Sequence, residues 1–288
     1  MSRRRKIETN SKMEEHHGNK GIALLLVIII VLAGLGATAT YWLMSQPSGG
    51  HIESGDEGGG GIVPHQENTV ISADLSVKYS SISNIPKKVL GELFVTTTCP
   101  YCAHTEDDLT SIEGQRGDFY FVSFVADKNR DAYDRYQEIS KKQGTPDTEF
   151  DGGYRAELGA VDPSKFISDI SACKDYHPVP VEIHISKRYS SHRASLSIDV
   201  FLGEESFKGS IKAFVIDKNS PWKNVNGESI PNAFVGYLLN KDINFNGEEI
   251  TETGQWSTTG NKPLSDLAVV VEVYDEKGYG LQAYRIDL

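Results

Sequence analysis

Sulfur is scarce in this chain. It has 3 cysteines and 3 methionines in 288 residues. Three cysteines are too few for a small fold stapled by disulfides. The methionines are Met1, Met13 and Met44, all ahead of the segments that read as folded, so a copper(I) site built on thioethers has no material. Positive charge is also short, with 29 Lys and Arg against 40 Asp and Glu, a net of −11. A nucleic-acid partner is therefore not expected, because phosphate requires a basic face. The 27 glycines show no collagen-like period. No residue type or motif calls for a bound cofactor.

Charge is absent altogether from residues 21–44, a run that opens IALLLVIIIVLAGLG and ends at Tyr41-Trp42-Leu43-Met44. As a helix it would be about 36 Å long, enough for a bilayer core. The aromatic pair suits a lipid–water boundary. Residues 1–20 carry six Lys and Arg against three Glu, whereas residues 45–288 are strongly acidic. That asymmetry predicts one transmembrane helix, a cytoplasmic N-terminus and extracytoplasmic folded domains. A cleaved leader ending near Ala37-Thr38-Ala39 is the alternative. Residues 45–68, rich in Gly, Ser and acids, read as a flexible linker.

Folded material is expected in two parts, 69–178 and 179–288. In the first, GELFVTTT is a β-rich run, AHTEDDLTSIEG a helix, DFYFVSFVA a buried strand and DAYDRYQEISKKQG a helix ending at Gly144. TEF then leads into a turn at Asp151-Gly152-Gly153, and PSKFISDISACKDY is a helix with Pro163 at its first position. This strand–helix alternation is an α/β order. Cys99-Pro100-Tyr101-Cys102 stands where the first strand meets the first helix. Amide groups at a helix start favour a thiolate on Cys99, Pro100 fits the first helical position, and Cys102 lies one turn on as the resolving thiol. His104 reads as a solvated helix residue or, with Pro100 and Tyr101, as a group tuning the pair electrostatically. Zinc is the alternative use of such a pair, with Cys173 and His104 as further ligands. Cys173 reads as a buried thiol or as a third redox cysteine.

These residues resemble the thioredoxin-like superfamily over roughly residues 85–178, with the tetrapeptide usual in glutaredoxins. The resemblance implies that Thr145-Pro146, ahead of TEFDGG, is the cis-proline site beside the cysteines. Pro146 would contact the disulfide and the backbone of Thr145 would bind a substrate strand. The sequence departs from that pattern at Thr98, where thioredoxins carry Trp. It departs again at Leu93, which occupies the place of a buried acid, with Glu92 one residue away.

From about residue 179 apolar residues recur with period 2, as in Val181, Ile183 and Ile185, and in Leu196, Ile198, Val200 and Leu202. Several such runs predict an all-β antiparallel sandwich. A thioredoxin-like module followed by such a domain, with a late valine-rich strand and a short one after it in LAVVVEVYDEKGYGLQAY, resembles a group of bacterial outer-membrane lipoproteins. Asp242-x-Asn244-x-Asn246-Gly247 has the spacing of a calcium loop, although Thr253 stands where the last ligand should be Glu. A hairpin turn at Asn246-Gly247 is the alternative.

The sequence thus points to a membrane-anchored thiol–disulfide oxidoreductase acting on cysteines of exported proteins or on a redox partner. Cys99 and Cys102 would be catalytic, and Thr145 and Pro146 substrate-binding. A surface adhesion or assembly protein with a structural disulfide is the rival, and a redox-switched sensor or chaperone a second one.

Overall fold

The structure, a computed structural model, describes residues 73–74 and 85–288 apart from 177, 204, 205, 248 and 259. The expected N-terminal segments 1–20, 21–44 and 45–68 lie outside the described residues. Among the described residues no helix is long and apolar enough to cross a membrane. The expected transmembrane helix and single-pass placement thus have no counterpart among the described residues; they rested on residues 21–44, which lie outside them.

Strand β1 is Ala73–Asp74 and β2 is Val89–Val95. All seven β2 residues are buried, as a strand covered on both faces requires. Helix α1 is Cys102–Gln115, β3 is Phe119–Val125 and α2 is Arg130–Ile139. Asn129 caps α2 by accepting the amides of Asp131 and Ala132. The helix stops five residues before Gly144. Its Tyr136 hydroxyl instead bonds the loop that follows, at Lys142 and Gly144. The hairpin of β4 (Asp147–Phe150) and β5 (Arg155–Leu158) turns at Asp151-Gly152-Gly153, each with positive φ. Helix α3, Pro163–Lys174, starts with Pro at its N-terminus and an Asp162 cap. Seven strands follow: β6 (Val181–Tyr189), β7 (Arg193–Leu202), β8 (Phe207–Asp217), β9 (Ala233–Phe245), β10 (Ile250–Ser257), β11 (Leu267–Asp275) and β12 (Gly280–Asp287).

Local elements fall largely where the residue pattern put them, but their assembly differs. The chain is mostly β and forms two sheets, one of four strands in the order β1-β6-β7-β10 and one of eight in the order β12-β11-β8-β9-β3-β2-β4-β5. The larger sheet is mixed: β2–β3 and β3–β9 are parallel, the other neighbours antiparallel. This corrects the expected fold of an α/β domain followed by a separate antiparallel sandwich. The described residues belong to one unit, Gln66–Leu288. The physical reason is the open edge of β3, which would leave backbone groups unpaired beside a buried apolar strand. Strand β9 covers it, with Ser123 facing Ala233 and the Ser123 amide donating to the Asn232 carbonyl at 3.0 Å.

The eight-stranded sheet curls until its far strand meets β2. The Ala283 amide donates to the Lys88 carbonyl at 3.1 Å, and the Lys88 amide donates to Gln282 Oε1 at 2.7 Å. The concave face encloses one core, where Leu90, Phe94, Val122 and Phe124 meet Phe214, Phe234, Val270 and Tyr274 beneath α2. The convex face carries two others. Helices α1 and α3 cover β2 and β3 at one end. The four-stranded sheet covers β8, β9 and β11 at the other. Alternation along each strand assigns its odd and even residues to opposite faces.

Candidate redox site

Strand β2 delivers the cysteine turn. It ends at Val95, and the Thr97 amide and hydroxyl then bond the Asp127 carboxylate just beyond β3. Burial raises the Asp127 carboxyl, but these bonds outweigh it and hold the group below its usual range. The Cys99 amide closes the turn on the Thr96 carbonyl at 3.1 Å. Helix α1 opens at Cys102, not at Cys99, so Cys99 and Pro100 belong to the turn ahead of it, with Tyr101 at the N-cap. The first turn of α1 contains no acidic residue.

Cys99 and Cys102 are joined in a disulfide with a Cα–Cα separation of 5.5 Å. Their surroundings are unequal. Cys99 keeps 5% of its surface accessible and Cys102 none, while Tyr101 between them is 66% exposed. Strand β4 pairs with β2 so that Asp147 faces Phe94. That register carries the preceding Thr145 and Pro146 to the end of β2 from which the cysteine turn departs. The Thr145–Pro146 peptide is cis; Pro146 is buried and Thr145 half-buried. His104 is exposed, with Nε2 at 3.5 Å from Asp108.

Other sequence-derived candidates lie elsewhere. Glu92 is fully buried but faces away from the cysteines. Leu93 and Val95 point to the cysteine core, whereas Leu90 and Phe94, the even neighbours of Glu92, point to the concave face. There Arg135 grips Glu92 at 2.7 and 2.6 Å, and the Tyr274 hydroxyl lies 3.3 Å away. Cys173 is buried in α3, in the same core as the pair, and burial pushes its thiol well above the ordinary range. Among the described residues no three His, Cys, Asp or Glu side chains are grouped to hold a metal. The calcium-loop candidate is corrected. Asp242 and Asn244 lie in β9, paired with Ser210 and Lys208, and Asn246 opens a turn with Gly247 at φ 84°. An extended strand cannot wrap alternate ligands around one ion.

Three further residues belong to the surroundings of the cysteines or of α1. Trp222 packs against the cysteine core from the connection between β8 and β9, alongside Ile230 and Ala233. From the same connection Asn224 Nδ2 donates to Glu106 Oε2 at 3.0 Å. Glu106 is 2% exposed, and its Oε1 has no hydrogen-bond partner. Burial raises its carboxyl, the Asn224 bond opposes, and Asp107 and Glu228 add to the rise. Glu106 was legible in principle, since Cys102, Thr105, Glu106, Leu109 and Ile112 repeat at helical spacing and form the buried stripe of α1. Trp222 and Asn224 gave no such signal, being more than a hundred residues distant in sequence.

Neither the known protein families nor the curated proteins contain a match to this sequence. Among solved structures the chain is similar to HBP35 of Porphyromonas gingivalis, with a TM-score of 0.57 and 14% identity over 71% of this chain and 76% of that one. It is also similar to a calcium-binding mutant of Bacteroides uniformis beta-glucuronidase 2, with a TM-score of 0.25 and 14% identity over 37% of this chain and 12% of that one. A beta-glucosidase from Kluyveromyces marxianus gives a TM-score of 0.24 and 12% identity over 39% and 14% of the two chains. Of these three, the likeness to HBP35 is the one that bears on the fold. It corrects the resemblance drawn from the sequence: across most of its length the chain is similar to HBP35, not to the thioredoxin-like superfamily or the outer-membrane lipoproteins.

Proposed function

We propose that the protein is a thiol–disulfide oxidoreductase acting on protein cysteines. Cys99 is the attacking nucleophile and Cys102 the resolving thiol. One observation carries this reading: the unequal burial of the two sulfur-bearing residues beside the exposed Tyr101. Cys99 is the less buried of the two, so attack is assigned to it and resolution to Cys102. Thr145 and Pro146 flank the turn and form the adjoining substrate contact.

A structural disulfide in an adhesion or assembly protein is the second reading. The packing of both cysteines into an apolar core favours it.

Insulin reduction by the full chain with a small dithiol as electron source separates the two. Cysteine-dependent turnover is expected. Cys99→Ser should abolish it, and Cys102→Ser should accumulate a mixed disulfide through Cys99. Equal rates for the wild type and both variants would remove the oxidoreductase reading and leave the structural bond.

A further inference from the structure

A resolving thiol with no solvent access needs somewhere to put its proton. Cys102 is fully buried, and a thiol attacks a disulfide only as thiolate. Glu92, the acid of strand β2 ahead of the cysteine turn, faces the concave core and is committed to Arg135. The cysteine face holds a different acid. Glu106 lies four residues after Cys102 on the buried stripe of α1. Residues at this spacing are neighbours on a helix, and side chains lean toward the helix N-terminus, so the Glu106 carboxyl leans toward the turn of Cys102. Asn224 occupies one of its oxygens, and the other is buried and unpartnered. Asn224 is itself held: its Oδ1 accepts the Asn226 and Glu228 amides at 3.0 and 3.1 Å. Thr105, three residues after Cys102, also has a buried, unpartnered hydroxyl.

We propose that Glu106 Oε1 is the proton acceptor for Cys102, with Asn224 of the β8–β9 connection as the residue that positions it. This rests on the oxidoreductase reading. In the step concerned, Cys99 is joined to a substrate sulfur. The Cys102 S–H proton passes to Glu106, and the Cys102 thiolate attacks Cys99 Sγ. The Cys99–Cys102 bond forms and the Cys99–substrate bond breaks. The substrate leaves as a thiolate that takes a proton from solvent. The cysteine pair is oxidised by two electrons and the substrate disulfide is reduced by two. The charged groups facing Glu106 are Asp107 on its own helix and Glu228 across from it, both acidic. They strengthen the carboxylate as a base, which suits a thiol as proton donor. The arrangement also gives the distal half of the chain a part in the chemistry, since Asn224 follows β8.

Stopped-flow oxidation of the reduced full chain by dithiobisnitrobenzoate resolves the two halves of the cycle. Attack by Cys99 releases one coloured thiolate and resolution by Cys102 releases the second. Cys173→Ala serves as the background in which no third thiol contributes. Glu106→Gln should leave the first phase within about twofold and slow the second by about tenfold or more at neutral pH. The wild-type second phase should show an inflection where Glu106 ionises. In Glu106→Gln that inflection should vanish, leaving a rate that climbs tenfold per pH unit toward the thiol's own ionisation. Glu106→Asp should restore part of the rate. An unchanged second phase in a folded Glu106→Gln protein overturns the proposal while leaving the oxidoreductase reading intact. Loss of a rapid first phase in the wild type itself would overturn both. Should Glu106→Gln fail to fold, Asn224→Ala, which keeps the carboxyl but frees it, should displace the inflection; an unmoved inflection counts against the proposal.

Discussion

Arg135 illustrates how this chain tolerates charge in its interior. Its guanidinium is almost wholly buried yet bonds Glu92 through two nitrogens and reaches Glu138 at 3.0 Å. Desolvation of the arginine is outweighed by these carboxylates, which hold its proton well above the ordinary range. Removing one member leaves the other unpaired in a low-dielectric core. Arg135→Ala should therefore cost about 3–5 kcal/mol in urea unfolding, and the double variant Arg135→Met with Glu92→Leu much less. Glu149 faces Glu92 across the β2–β4 ladder. Burial, with help from Asp147 and Glu92, pushes its carboxyl up to about 8, against opposition from Lys141 and Lys142. The folded state thus keeps a proton that the unfolded state releases near the ordinary glutamate value of about 4.3. Stability should fall as pH rises from there to about 8 and level off above it. Glu149→Gln should flatten that decline and gain on the order of 1–2 kcal/mol over wild type at alkaline pH, read from urea midpoints across the pH range.

At the scale of elements, turns and caps join parts of the chain that the sequence separates. Gly152, at φ 65°, has no room for a β-carbon, because the Gly278 carbonyl of the β11–β12 turn and the Tyr274 ring occupy the space. The Gly280 amide donates to the Asp151 carbonyl at 2.9 Å beside it. Gly152→Ala combines strained backbone with a clash and should cost more than about 2 kcal/mol in thermal or urea unfolding. Asn129 joins α2 to β9, since its amide also donates to the Phe234 and Val235 carbonyls at 3.3 and 3.4 Å. Asn129→Ala should cost about 1–2 kcal/mol, the upper end reflecting the lost contact to β9. Strand β10 left almost no trace in the sequence. It is an edge strand of the smaller sheet, and its inner face, Ile250, Glu252, Gly254 and Trp256, holds only two large apolar side chains, so its burial alternates but its hydropathy does not. The Asp162 cap with Pro163 was legible because capping is a local matter between a side chain and the amides beside it.

For the described part of the molecule as a whole, the shared sheet predicts one cooperative transition rather than two. Two of the three tryptophans, Trp222 and Trp256, report on different cores. Trp222 lies against the cysteine core, and Trp256 against the core between the two sheets. Variants retaining only one of them should show the same urea midpoint and steepness by fluorescence. Separate midpoints would mean that the two halves unfold independently. Helix α1 is tied to the distal half at both ends, through Asn224 to Glu106 and through Asn232 and Arg285 to Glu113. A fragment ending at residue 178 would lose these bonds and β9, so it should fail to give the sharp near-ultraviolet signal of the intact chain.

What the amino-acid sequence determined alone was local: the strand feeding the cysteine turn, the helix after it, the capped α3, and which face of most later strands is buried. Periodicity, capping and turn chemistry act over a few residues and can be read there. The tertiary structure decided that one sheet runs through both halves, that Glu92 faces the concave core while Glu106 is buried in α1, and that Asn224 bonds Glu106 while Trp222 packs on the cysteine core. Those outcomes depend on which free strand edge is covered by which distant strand and on the curl that brings β12 to β2. Such pairings are made between surfaces far apart in the chain, and no window of neighbouring residues encodes them.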